Sequence, residues 1–239
     1  AVAISATTLA GILSGQITNW SDPALVAENP SEIMPDLPIT VITEAHPAVI
    51  SAVEKWISAS TGQDYKTNFT PNATFDHYTL LEADNGAVAL LTTVQNIELG
   101  LLQAKLWLGE TEAEIAAAEA NSLNAAASQF SFETVDSQLV TANLDFEAEV
   151  AKAAGRNTAV APYQLVFPLY VVTSSTTPSN IVKFVASFGL RASAQSELEL
   201  VGLSALPEAL RIQAKTIISQ GLPEPEFTQE QLDQLGLTE

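Results

Sequence analysis

Pro38-Ile39-Thr40-Val41-Ile42-Thr43-Glu44-Ala45-His46-Pro47-Ala48-Val49-Ile50, continued by Ser51-Ala52-Val53-Glu54-Lys55-Trp56-Ile57, decides how the rest of the chain is read. Ile39 to Ile42 is a β-prone apolar run, which predicts a buried strand. From Pro47 the apolar residues Val49, Ile50, Val53 and Ile57 recur at helical spacing. A strand thus turns directly into a helix. Such a turn presents backbone N–H groups at the positive end of a helix dipole, where α/β proteins hold anions.

The 239 residues, 47% of them hydrophobic, suffice for one large domain or two small ones with a real core. Against 28 Asp plus Glu stand 9 Lys plus Arg, a formal charge of −19. That field repels nucleic acid and anionic lipid heads, so neither is expected as a partner. The densest apolar run, Leu165 to Val172, is strand-sized and contains Pro168, far short of the ~18 residues of a membrane span. Direct membrane insertion is not expected. The sequence opens at Ala1 without a basic leader, so a signal peptide, where one is made, is expected to be cut off. Zero cysteine excludes disulfides, thiolate metal sites and thiol nucleophiles.

Ala1 to Ile4 reads as a short strand, after which Thr7 or Thr8 caps a helix with Leu9, Ile12 and Leu13 inward and Gly15 as its stop. Asp22-Pro23 is an N-cap followed by proline at the first helical position, and this brief helix ends before Asn29-Pro30. Pro30, Pro35 and Pro38 punctuate the loop into the central strand. Ser60-Thr61-Gly62 closes the central helix, and Lys66 to Asp76 reads as loop.

Thr8-Leu9-Ala10-Gly11-Ile12-Leu13-Ser14-Gly15-Gln16-Ile17-Thr18-Asn19-Trp20-Ser21-Asp22-Pro23, then Asn29-Pro30, then Leu37-Pro38-Ile39-Thr40-Val41, closely resembles the second lobe of the phosphate-binding proteins that feed ABC transporters. The resemblance implies an α/β fold, periplasmic-binding-protein-like (type II), with two lobes. It runs to about Ile218 and includes Gly202-Leu203-Ser204-Ala205-Leu206-Pro207 before a last helix from Pro207 to Ser219. Ala87 to Leu102 resembles the family's helix and following strand, with Gly100-Leu101 in place of the usual Gly-Tyr. Nothing here matches the glycine- and serine-rich front of the first lobe, so that lobe is incomplete in this chain. The implied division is 1–160 for the second lobe, 161–219 for the return into the first, and 220–239 for an acidic tail or linker.

Three further elements are expected. Glu110 to Ala127 is helical by propensity, whereas the resemblance implies a partly extended return there. Phe132 to Asn143 reads as a helix with Val135, Leu139 and Val140 inward. Gln164 to Thr173 reads as a buried strand, followed by a helix from Thr177-Pro178 with Ile181, Phe184, Val185 and Phe188 on its inner face. Leu210, Ala214, Ile217 and Ile218 form the stripe of the last helix.

In the family the central turn carries an Arg, an Asp and a Ser-Gly-Thr run that cage hydrogen phosphate. The equivalent positions here fall over Thr43, Glu44, His46, Ala48, Val49, Ile50 and Ser51. Glu44 takes the Arg position and His46 the Asp position, while Pro47 to Ile50 occupy the hydroxyl-bearing run. Each change opposes an anion: Glu44 reverses a charge, Pro47 removes an N–H, and Ala48 and Val49 replace a hydroxyl and a glycine. A charge-assisted hydrogen bond is worth about 1.5–3 kcal/mol, so several such losses together abolish micromolar affinity. The expected outcome is a kept fold and a lost ligand.

The remaining residues offer little other chemistry. His46 and His77 are the two histidines and neither has a second histidine at ligand spacing, so no metal is expected; His46 reads as a cap and His77 as a surface residue. Ser51, His46 and Asp76 make a triad only on paper, without a Gly-x-Ser-x-Gly elbow. Trp20 and Trp56 read as core residues. Asn19-Trp20-Ser21, Asn68-Phe69-Thr70 and Asn72-Ala73-Thr74 fit the glycosylation pattern, which is short and common by chance.

The resulting expectation is a non-catalytic, exported, extracellular or cell-envelope module without cofactor, serving as a surface or scaffold domain. Two alternatives stand beside it. One is a working receptor for phosphate or another small solute, with Glu44 and His46 meeting a cationic or neutral ligand. The other is half of a complex, in which a protein partner or a missing N-terminal segment completes the first lobe.

Overall fold

A computed structural model describes residues 1–109, 115–128, 133–135, 139–141, 161–167, 169, 174 and 176–221. Its centre is the contact between two helices, α1 (Ala6–Leu13) and α3 (Pro47–Thr61). Leu9, Ile12 and Leu13 of α1 and Val49, Ile50, Val53, Trp56 and Ile57 of α3 are buried in one cluster, as the helical spacing predicts. Leu25 from α2 (Pro23–Glu28) closes it and is completely buried.

Around this core the strands are short. β1 (Ala3–Ser5) pairs in parallel with β6 (Lys105–Trp107), which pairs antiparallel with β7 (Ile115–Ala116). β2 (Thr40–Val41) runs parallel to β5 (Ala87–Val88), and β3 (Glu44–Ala45) parallel to β4 (Thr70–Pro71). The architecture is therefore mixed α/β, with parallel pairings joined through helices. The helix α4 (Thr93–Leu99) opens on a capping box between Thr92 and Gln95 and closes at Gly100, φ 64°.

Side chains do much of what longer strands would otherwise do. Asn29 is buried, its Oδ1 accepting the Ala3 N–H at 2.7 Å and its Nδ2 donating to the Ala3 and Leu25 carbonyls at 2.9 and 2.8 Å. It thus stands in for a neighbouring strand along the outer edge of β1. Glu28 continues the edge by accepting from Ser5 N–H at 2.9 Å and Thr8 Oγ1 at 2.6 Å. Gly86 has a comparable place between β2 and the Trp20 turn: its carbonyl accepts the Thr40 N–H at 3.2 Å and Trp20 Nε1 at 3.2 Å. A Cβ on Gly86 would collide with the Pro38 carbonyl oxygen, so the backbones approach too closely for any other residue.

Several expectations change. Ser5, rather than Thr7 or Thr8, is the N-cap of α1, because its hydroxyl accepts the Thr8 N–H at 3.1 Å. The central strand is two residues long and half-exposed rather than buried, since β2 is paired on one side by β5 and Thr40 faces solvent. The Lys66 to Asp76 loop contains β4, recruited by pairing with β3. Strand β6 begins at Lys105, beyond the Gly100-Leu101-Leu102 stretch, because α4 continues to Leu99.

Within Glu110 to Ala127, Ile115–Ala116 is extended and α5 (Ala120–Ala127) is helical, while 110–114 lie outside the described residues. The helix expected over Phe132 to Asn143 is instead a pairing of β8 (Glu133–Val135) with β9 (Leu139–Thr141). Thr134, Val135, Val140 and Thr141 are β-branched, and they favour that pleat over a helix. Of the strand expected over Gln164 to Thr173, residues 164–167 run without strand pairing and 168 and 170–173 lie outside the described residues, as does the acidic stretch 222–239.

The C-terminal part carries α6 (Ser179–Gly189), α7 (Ala192–Leu198) and α8 (Glu208–Gly221). Leu210 and Ala214 of α8 are buried as expected; Ile181, Val185 and Phe188 of α6 are exposed rather than inward. Residues 161–167 return to the core, where Trp56 Nε1 donates to Gln164 Oε1 at 2.6 Å with both side chains buried.

Asn29→Ala would leave the Ala3 N–H and two carbonyls without their partner in a buried setting. It should lower unfolding stability by about 2–4 kcal/mol in urea titration, whereas Ser14→Ala on the exposed end of α1 should stay within about 0.5 kcal/mol.

Candidate functional site

The candidate anion seat is the first turn of α3, and its donors can be counted one by one. Pro47 has no N–H. The Ala48 N–H donates to His46 Nδ1 at 3.2 Å, and the Val49 and Ile50 N–H groups donate to the His46 carbonyl at 3.0 and 3.1 Å. His46 is thus the N-cap, as expected, with φ −62° and ψ 134°. Accepting through Nδ1 requires that this nitrogen carry no proton, which leaves Nε2 as the ring nitrogen that can donate. The first turn keeps none of these three N–H groups for an incoming oxyanion.

The remaining predicted positions are gathered at this turn but do not converge on a cavity. Val49 and Ile50 are each 7% exposed, with side chains in the core. Thr43 and Ser51 are exposed and Ala48 is half-buried. The Thr43 carbonyl accepts the Thr70 N–H at 2.8 Å, which clamps the turn to β4. Glu44 is turned to Asn72, whose Nδ2 donates to Glu44 Oε1. Asn72 in turn accepts from the Thr74 N–H at 2.9 Å and its own N–H donates to the Ala45 carbonyl at 2.9 Å. Sequence reading missed Asn72 because its Asx turn looked like a chance glycosylation triplet. The same turn chemistry occupies Asn19, whose Oδ1 accepts from Ser21 and whose Nδ2 donates to Asp36.

Electrostatics here are local. Glu54, on α3 and 14% exposed, receives Lys66 Nζ at 3.0 Å, the Thr67 N–H at 2.9 Å and Thr67 Oγ1 at 3.0 Å. Burial raises its carboxyl, but the Thr67 N–H, Lys66 and Thr67 hydroxyl together outweigh this and hold it below its ordinary value. Burial also pushes the Tyr163 phenol up to about 12, against an opposing hydrogen bond with Gln103. The drawn triad does not assemble: His46 Nδ1 is taken by Ala48 and Asp76 Oδ1 accepts the Tyr78 N–H at 3.1 Å. His77 is less exposed than expected and pairs with Glu98 at 2.7 Å.

Among the described residues no group of three His, Asp or Glu side chains is gathered as for a metal ion, and no helix is long and apolar enough to cross a membrane. A separate cleft of about 140 Å³ lies between α4 and the 199–204 segment, lined by Thr93, Asn96, Gln103, Glu199 and Ser204 among others. It is below the roughly 300 Å³ at which small-molecule sites begin. No protein-family model matches this sequence, and no curated protein is significantly similar to it.

Substitutions at two positions test this account of the turn. His46→Ala should cost about 1 kcal/mol through the lost cap, while His46→Asp and His46→Ser should retain or improve stability, read from urea midpoints. Glu54 has a lowered folded value, so its contribution is complete above the ordinary 4.5 and is lost as pH falls through that lowered value. Stability measured from pH 6 downward should therefore fall more steeply in the wild-type chain than in Glu54→Gln.

Proposed function

We propose that this chain is a non-catalytic, exported module with the periplasmic-binding-protein-like (type II) fold of phosphate-binding proteins, in which the oxyanion seat has been closed. It acts as an extracellular or envelope-associated surface or scaffold domain rather than as a phosphate receptor. The observation that carries this reading is the donor count at α3: the Ala48, Val49 and Ile50 N–H groups all have acceptors within His46. An anion arriving there would have to displace a side-chain cap and a backbone carbonyl, and it would meet the Glu44 carboxylate beside the turn.

The order of the residues that resemble the family supports the same reading. Trp20, Leu37 and Gly86 are tied together through Trp20 N–H to the Leu37 carbonyl at 2.9 Å and Trp20 Nε1 to the Gly86 carbonyl at 3.2 Å. The long Gly15-to-Pro23 string is thus used for scaffolding rather than for a ligand. A receptor for a cationic or neutral solute is less well supported, because Glu44 is bonded to Asn72 and His46 caps the turn.

Calorimetric titration with inorganic phosphate should show no saturable heat, and thermal unfolding should not move with millimolar phosphate. A dissociation constant in the micromolar range, with the matching gain in melting temperature, would overturn the reading.

A further inference from the structure

The turn ahead of β5 carries a chemistry of its own. Asn85 is the one asparagine in the sequence that is followed by glycine. A glycine nitrogen is the least hindered backbone nucleophile that a neighbouring carboxamide can meet, because no Cβ stands beside it. Asn85 is exposed and Gly86 is buried. They form the middle of a turn that the Ala87 N–H closes onto the Asp84 carbonyl at 2.9 Å.

Asn-Gly commonly marks a turn in which the glycine takes a positive φ. Gly86 does not: the positive-φ glycines are Gly15, Gly62, Gly100 and Gly202. It is required for space, since a Cβ there would meet Leu37 Cγ at 3.2 Å as well as the Pro38 carbonyl oxygen. Its contacts to the Thr40 N–H and to Trp20 Nε1, each at 3.2 Å, run through its carbonyl and do not use its nitrogen.

We propose that Asn85-Gly86 is a site of spontaneous modification, at which Asn85 converts to isoaspartate and thereby uncouples the Trp20 turn from β2 and β5. The Gly86 nitrogen gives up its proton to solvent base and bonds to Asn85 Cγ. The Cγ–Nδ2 bond breaks, and Nδ2 leaves as ammonia with a proton from water. A second water then opens the succinimide so formed. Cleavage between the Gly86 nitrogen and Cγ gives aspartate; cleavage between that nitrogen and the Asn85 carbonyl carbon gives isoaspartate, whose main chain runs through Cγ. Nothing is oxidised or reduced, and water is the co-reactant throughout.

The two products act differently on the fold. Aspartate adds a charge at an exposed position and leaves the backbone as it was. Isoaspartate lengthens the main chain by one carbon directly before Gly86, whose backbone already lies against Leu37 and Pro38. The Gly86 carbonyl is then displaced from Trp20 and Thr40. Strands β2 and β5 pair over two residues each, so few ladder bonds resist the shift. Ring closure needs the turn to open, and so short a pair opens at low cost.

The test keeps the full chain folded in warm, mildly alkaline buffer and follows each asparagine by peptide mass spectrometry, with isoaspartate identified by enzymatic methylation. Asn85 should convert faster than every other asparagine, including Asn121 before Ser122. The aged chain, separated by its added charge, should melt several degrees lower and show shifted Trp20 Nε1–H and Thr40 amide signals. Freshly made Asn85→Asp should match the unaged chain in both respects. Asn85→Gln, whose longer side chain closes such a ring far more slowly, should age without the loss in melting temperature. An Asn85 that converts no faster than Asn121 overturns the proposal. So does an aged chain rich in isoaspartate at 85 whose Trp20 and Thr40 signals have not moved, or an Asn85→Asp chain that reproduces the whole change.

Discussion

The hydrogen bond from the Ala48 N–H to His46 Nδ1, backed by the burial of Val49 and Ile50, is the constraint from which the rest of the site follows. A helix start is an anion seat only while its first N–H groups face outward unclaimed. Here proline removes one donor, imidazole takes the next, and the cap carbonyl takes the two after it. The apolar residues of the same turn then face α1 instead of a cleft. One short segment thus fixes the orientation of α3, fills the centre of the core and closes the site that the strand-to-helix turn would otherwise offer.

That arrangement depends on anchors far apart in sequence. The described strands are only two or three residues long and offer few ladder hydrogen bonds, so the fold relies on buried side chains that satisfy backbone groups. Buried Asn29 along β1 and half-buried Glu28 at the start of α1 do this, and the buried Trp56–Gln164 side-chain bond joins α3 to the returning segment. Removing Asn29, or either partner of the Trp56–Gln164 bond, leaves an unpaired buried polar group, which makes these contacts costly to lose and specific in register. The clamp of Thr43 and Glu44 by Thr70 and Asn72 extends the same device to the loop in front of the helix.

Much of the core was legible because helical periodicity reports burial directly. Leu9, Ile12, Leu13, Val49, Val53 and Ile57 follow that rule, and Asp22-Pro23 and Gly62 mark helix ends through backbone chemistry that is local. The His46 cap was legible for the same reason. What sequence could not supply were facts set by non-local pairing: that Thr70-Pro71 joins Glu44-Ala45, that 133–135 pairs with 139–141, and that Asn29 edges β1. The outward face of α6 defeats periodicity in another way. The spacing correctly places Ile181, Val185 and Phe188 on one side but contains no information on which side meets the body.

The most direct measurement is a residue-resolved NMR titration of the full chain with inorganic phosphate, following the amides of Ala48, Val49 and Ile50 together with the ring nitrogens of His46. The account predicts an Nδ1 without a proton, and amide positions that do not change up to tens of millimolar phosphate. A saturable downfield movement of the Ala48 amide, with release of His46 from it, would contradict the claim that this helix start is closed.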